Sequence, residues 1–265
     1  MKVCFILETR NPPRPNEIIL KAVDLLESRG VKVNMVYPEK ELWRMDRLNV
    51  RADLYLLKSD SELALSLAHA LELRGAYVIN PHKACRKLKD KALTAGLLFQ
   101  AGISTPESFA AAKVSSLAYS LRKGPLILKP NRGYHGVGLN IVEREAGLKS
   151  VPEYSDMVFA QSYLTGGRND IKIFGLGNEI FALRKPFSPN SFKQRGTPIR
   201  LTREYERIAR HCAETFGLSL YGIDLAEYEG NAYVVDVNYF PGYRGVEAAE
   251  QKLTDFILRA VRDPR

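Results

Sequence analysis

Asp224, Asp236 and Asn238 are the residues whose types and spacing most directly suggest chemistry. They fall on two short runs predicted as strands, residues 220–226 and 232–238, each carrying a carboxylate among apolar neighbours and joined through Gly230-Asn231. A hairpin pairing can bring both carboxylates to one face, with Asn238 at i+2 from Asp236 on that same face. Neighbouring carboxylates repel and burial penalises each charge further, so the group calls for a compensating cation. Few hard oxygen donors, short of an all-protein cage, suit Mg²⁺ shared with nucleotide phosphates, with Mn²⁺ as a substitute. The simpler alternative is a hairpin with two solvated acids. Against it stands the rigid turn Asn238-Tyr239-Phe240-Pro241-Gly242-Tyr243, directly after the acid-Asn pair.

A second informative stretch is GPLILKPNRGYHGVGLNIV, residues 124–142. An apolar strand at 125–128 delivers Lys129, a loop follows with Gly133, Gly136 and Gly138, and a further strand is expected at 139–142. Glycines let backbone N–H groups approach phosphate closely, because they tolerate unusual φ values and carry no side-chain bulk. The G-x-x-x-x-G-K-(S/T) loop is absent, and strand–loop–strand order argues against a helix N-terminus as the anion site. A plain glycine-rich hairpin is the alternative.

The elements that must position these residues form an α/β pattern. Strands are expected at 3–7, 31–36, 52–57 and 76–79, with helices at 16–28 and 61–74 between them. That alternation argues for a parallel sheet with covering helices. No glycine-rich turn follows the first strand, so a dinucleotide site is not indicated. Further on, helices are expected at 90–101, 202–216 and 250–261, a strand at 157–164, and a hairpin from 171–174 to 179–184.

The net charge of +9 asks for an anionic partner. Between Arg184 and Arg203 the chain holds Arg184, Lys185, Lys193, Arg195, Arg200 and Arg203 with no acid, broken by Pro186, Pro189 and Pro198. This reads as a basic loop able to clamp substrate or phosphate. A second basic run, residues 83–91, holds five basic residues against the single acid Asp90. No apolar run approaches a membrane span, and the three widely spaced cysteines, Cys4, Cys85 and Cys212, suggest neither a disulfide framework nor a zinc site. A cytoplasmic protein fits.

The pattern D…(D/E)-x-N-x-x-P-G formed by Asp224, Asp236, Asn238, Pro241 and Gly242 resembles the ATP-grasp superfamily. VDVNYFPGYRGVE is similar to two of its branches, the RimK-type α-L-glutamate ligases and the inositol polyphosphate kinases of the ITPK type. The resemblance covers about residues 90–259. It implies an ATP-grasp fold with an N-terminal parallel-sheet pre-ATP-grasp domain at 1–89, a lid subdomain at 90–160 and a C-terminal subdomain with the metal site at 161–265.

It also implies ATP as cofactor and a set of residue roles. Lys91, in an Asp90-Lys91 pair like that of the ligases, and Lys129 would meet nucleotide phosphate, under a lid made by Gly133, Gly136 and Gly138 with His135 assisting. Gln161, Tyr163 and Leu164 stand at the hinge that reads adenine, although Ser162 replaces the usual glutamate. Asp170 matches a residue near the ribose, and Lys172 a basic residue in both branches. Mg²⁺ would sit on Asp224, Asp236 and Asn238. Glu247 is either a further acidic neighbour of that site or a helix N-terminal acid.

Two acceptors remain open. A RimK-like ligase would phosphorylate a carboxylate and pass the acyl phosphate to an amine, with Arg184 or Arg195 steadying the tetrahedral intermediate. A kinase would phosphorylate a hydroxyl of a polyanionic ring held by the basic loop. The ligase is placed first. The expected partner is a small-molecule or peptide acceptor of anionic character, not a membrane or a nucleic acid. A non-catalytic polyanion-binding module would explain the basic loop but not the acid-Asn cluster.

Overall fold

The apolar runs at the start of the chain assemble into one parallel sheet. In this computed structural model, which describes residues 1–9, 16–132, 138–164, 169–186 and 195–263, its strands are β1 (Lys2–Leu7), β2 (Lys32–Val36), β3 (Leu54–Lys58) and β4 (Val78–Ile79). They lie in the order β2-β1-β3-β4 with every pairing parallel. Helix α1 (Glu17–Ser28) starts where the Asn16 side chain accepts the Ile19 N–H, and α2 (Glu62–Glu72) where Ser61 accepts that of Ala64. Sequence alternation had pointed to this unit.

The basic run at 83–91, for which the sequence suggests no element before Asp90, is largely helical. It folds into α3 (His82–Leu88) and the first residue of α4 (Lys91–Gln100), because Ala84, Cys85 and Leu88 share a buried side. Charge density hid the apolar spacing.

A second sheet comprises β5 (Ser108–Ala111), β6 (Leu126–Pro130), β7 (Asn140–Val142) and β8 (Val158–Ser162), antiparallel in the order β5-β8-β6-β7. It has its own core, which includes Val114, Leu117, Leu126, Leu128 and Val142. The third sheet is antiparallel, in the order β11-β10-β9-β12-β13. Its strands are β9 (Asn169–Leu176), β10 (Glu179–Pro186), β11 (Thr197–Ile199), β12 (Leu220–Tyr228) and β13 (Asn231–Tyr239). The basic loop is thus partly strand: Arg184 and Lys185 end β10 and Thr197–Ile199 is β11, while Pro189 and Lys193 lie outside the described residues.

The two faces of this third sheet have different fates. Ile171, Ile173, Ala182, Ile223 and Leu225 pack with Tyr205, Ile208 and Cys212 of α5 (Arg203–Phe216). On the other face Phe174, Leu176, Leu183 and Leu220 pack with α1, α6 (Ala249–Arg262) and the first sheet. Period-two alternation puts Asp170, Lys172, Lys185 and Asp224 on this second face, beyond its apolar end.

Buried polar clasps join the first and third sheets. Asn80, fully buried after β4, donates from Nδ2 to the Leu220 carbonyl at 2.6 Å and accepts from the N–H groups of Ser219 and Leu220 at 2.8 and 3.0 Å. Tyr239 donates its hydroxyl to the Ser59 carbonyl at 2.9 Å, and Lys58 donates to that of Phe240. The turn after β13 is thereby tied to the carboxyl end of β3.

All three cysteines are buried free thiols. Among the described residues no helix is long and apolar enough to cross a membrane.

Candidate functional site

The hairpin β12–β13 brings the two acids together by an irregularity. Its tight turn is Glu229-Gly230, both at positive φ (49° and 77°), between the paired residues Tyr228 and Asn231, one position earlier than the sequence suggests. Continued without interruption, that register would place Asp224 opposite Val235 and Asp236 opposite Ile223, on opposite faces. Instead the register shifts between Asp224 and Leu225, leaving Val235 as the extra residue of a bulge, and Asp224 lies directly opposite Asp236. Asn238 Nδ2 donates to Asp236 Oδ2 at 3.2 Å and reaches Asp224 Oδ2 at 3.5 Å.

The bulge also frees a carbonyl. Lys129, at the end of β6, donates from Nζ to Gln161 Oε1 at 2.7 Å and to the Val235 carbonyl at 3.4 Å. Burial pushes the Lys129 ammonium below its ordinary pKa, with Asp236, Asp224 and Asp170 pulling it back and Lys91 adding repulsion. Gln161, buried on β8, has its other end on Ser108 Oγ at 3.3 Å. Its side chain therefore orients Lys129. At the expected hinge, the Tyr163 N–H is given to the Pro125 carbonyl at 2.8 Å. Leu164 is half-buried and is the last described residue before 169.

Lys91 is brought beside Lys129 by Asn131. The Asn131 carbonyl accepts the Lys91 N–H at 3.4 Å and its Oδ1 accepts the Ala92 N–H at 3.0 Å, which fixes the start of α4 against the end of β6. Gly138, at φ +76°, sits over Pro130, and its carbonyl accepts the Tyr154 hydroxyl at 2.8 Å. Gly133, His135 and Gly136 lie outside the described residues.

Across the third sheet a charged rung runs Lys172–Asp224–Asp236 in direct register on β9, β12 and β13. Lys172 Nζ is 2.6 and 2.7 Å from the two Asp224 carboxylate oxygens. One step along, Asp170 stands opposite Lys185. Burial first, then the Asp224 charge, push the Asp170 carboxyl up to about 6.

The structure separates the two expected arginines. Arg184 pairs with Ile171, so it projects to the α5 face, where it is exposed and near Tyr205, away from Asp224. Lys185 takes the site face instead: it is 8% exposed, and burial lowers its pKa. Sequence reading missed it because the two residues before the Arg184-Lys185 pair, Ala182 and Leu183, are both buried and apolar on opposite faces of β10, so alternation does not reveal which face is polar. Arg195 is exposed, with its carbonyl so close to Gly245 that a Cβ there would lie 2.0 Å away. The end of the basic segment thus rests on the Pro241–Val246 turn. Glu247 is exposed, ahead of α6.

Two carboxylates side by side offer hard oxygens in one place, which suits a divalent cation, and the Asn238 amide that now donates to both could turn its oxygen to the same ion. Among the described residues no group of three or more His, Cys, Asp or Glu could cage a metal, so oxygens from outside this cluster would have to complete the coordination.

Residues 88–258 match the model of the RimK-like ATP-grasp domain. A Shewanella frigidimarina protein named "Probable alpha-L-glutamate ligase 2" is 30% identical over 196 residues, 68% of this chain and 66% of that protein, so the match spans just under two thirds of the relative's length. Among solved structures, a RimK domain ATP-grasp protein from Sphaerobacter thermophilus superimposes with a TM-score of 0.77 at 18% identity, covering 97% of this chain and 100% of that one. The ATP-grasp ligase PsnB, complexed with minimal precursor, Mg and ADP, gives 0.72 at 18% identity, covering 99% and 98%. The parallel first sheet, the second sheet and the acid-bearing third sheet are therefore the parts of an ATP-grasp fold, and the chain belongs to the RimK-like ATP-grasp family.

Proposed function

We propose that this protein is an ATP- and Mg²⁺-dependent ligase that joins a carboxylate to the amine of an amino acid or peptide through an acyl phosphate. The observation that carries the reading is the bulged hairpin, which sets Asp224 against Asp236 with Asn238 bridging them and lysines on both sides. Mg²⁺ held there with the phosphates would supply charge neutralisation during phosphoryl transfer.

The chain's own residues do the positioning. Lys129, fixed by Gln161 and the Val235 carbonyl, and Lys91, fixed through Asn131, offset the negative charge of the phosphates. The acceptor carboxylate attacks the γ-phosphorus and ADP leaves. The amine then attacks the acyl carbon, a tetrahedral oxyanion forms, and collapse expels inorganic phosphate. Lys185 and Arg195 are the cations suited to that oxyanion and to an anionic acceptor. The named function of the Shewanella relative points to glutamate or a glutamyl chain among the substrates.

The test follows the γ-phosphoryl group of isotopically labelled ATP in a mixture of Mg²⁺, carboxylate acceptors and amino acids. Label released as free phosphate, together with a new amide product, is the expected result. Label retained in a phosphorylated hydroxyl compound would replace the ligase with a kinase.

A further inference from the structure

Asp224 faces a cation of the chain's own. Lys172 Nζ reaches both of its oxygens, at 2.6 and 2.7 Å, and the pair is only partly exposed, at 17% for the lysine and 30% for the acid. The interaction is therefore less screened than a surface ion pair. It is built in rather than incidental: Lys172 and Asp224 are register partners on adjacent central strands, and the lysine stem runs beside Gly222, where an added Cβ would already touch its Cε at 3.6 Å. Among the described residues no ion pair to Asp236 matches this one, and Lys129 donates instead to Gln161 and the Val235 carbonyl. Among the described residues, Asp224 is thus the one of the two acids with an ammonium on both of its oxygens.

An ammonium and a divalent ion attract the same carboxylate oxygens. We propose that Lys172 is an internal counter-cation that competes with the metal for Asp224, so that the divalent ion binds productively only with nucleotide, whose phosphates receive the displaced ammonium. This rests on the reading of Asp224, Asp236 and Asn238 as the metal donors. It makes cation and nucleotide binding mutually dependent, and it delivers a lysine to the phosphates in the step that loads the site.

The test uses the full chain and Mn²⁺ as probe, read by water-proton relaxation enhancement, with and without a non-hydrolysable ATP analogue. Wild type is expected to bind Mn²⁺ weakly alone and tightly with the analogue. Lys172→Met should bind Mn²⁺ alone about tenfold more tightly than wild type, while Lys172→Arg should return to weak binding. Circular dichroism and thermal melts confirm that each variant is folded, and Lys172→Gln serves if the methionine variant is not. Equal Mn²⁺ affinity of wild type and the neutral variant without nucleotide overturns the competition, while loss of nucleotide-dependent Mn²⁺ binding in Asp224→Asn leaves the metal reading standing. If Asp224→Asn keeps that binding, the metal reading itself fails, and the competition with it.

Discussion

Lys129 is placed before any substrate arrives, because Gln161 and the Val235 carbonyl both accept from its ammonium. Such a preset cation needs no reorganisation as charge develops on phosphate. Asp236→Asn and Lys129→Ala are each expected to lower ATP turnover by about a hundredfold or more, with an unchanged far-ultraviolet spectrum. Turnover within a few-fold of wild type would remove that residue from the site. Asp170 gives a second, pH-dependent readout. Its carboxyl is raised from an ordinary 3.8 to about 6, so the folded chain holds that proton better than the unfolded chain. The contribution favours folding below about pH 4 and is lost as pH rises through about 6. In metal-free protein, the urea midpoint of Asp170→Asn relative to wild type is expected to rise from about pH 4 to about pH 7. A constant difference would contradict the shift.

At the scale of elements, β9 and β12 are held in contact by an absent side chain. Tyr221 lies across Gly175, its strand partner, so that a Cβ at 175 would meet the ring at 2.0 Å. The Gly175 carbonyl also accepts the buried Tyr243 hydroxyl at 2.9 Å. Gly175→Ala must push a buried aromatic out of its packing and is expected to cost about 1–3 kcal/mol, seen as a lowered denaturation midpoint. An unchanged midpoint would mean that the ring relocates freely. The same strand pair carries Lys172 and Asp224 at its other end, so nucleotide affinity should fall along with stability in that variant.

At the scale of the whole molecule, the first sheet is part of the site's foundation. Asn80 satisfies three backbone groups at Ser219 and Leu220, where β12 begins, and Tyr239 and Lys58 tie the turn after β13 to β3. Asn80→Ala leaves those buried groups unpaired and is expected to cost about 1–3 kcal/mol in urea denaturation. Loss of less than about 0.5 kcal/mol would mean that water or a local shift replaces the clasp.

The amino-acid sequence alone determined the order of strands and helices in the first unit, since buried parallel strands read as apolar runs and the intervening helices as 3.6-residue stripes. It also pointed to Asp224, Asp236, Asn238 and Lys129, because polar residues among apolar neighbours stand out, whereas Lys91 and Lys172 were marked only by resemblance to the family. It did not reveal α3, whose buried Ala84, Cys85 and Leu88 are hidden among basic residues. Nor did it distinguish Lys185 from Arg184, because adjacent cations on a strand with apolar residues on both faces carry no mark of which side is inward. The bulge at Val235 was decided only in three dimensions. A regular hairpin from the same turn would have sent Asp224 and Asp236 to opposite faces, and the shift that unites them depends on packing both faces of the third sheet, Val234 and Leu225 toward α5 and the acids toward Lys172 and Lys129.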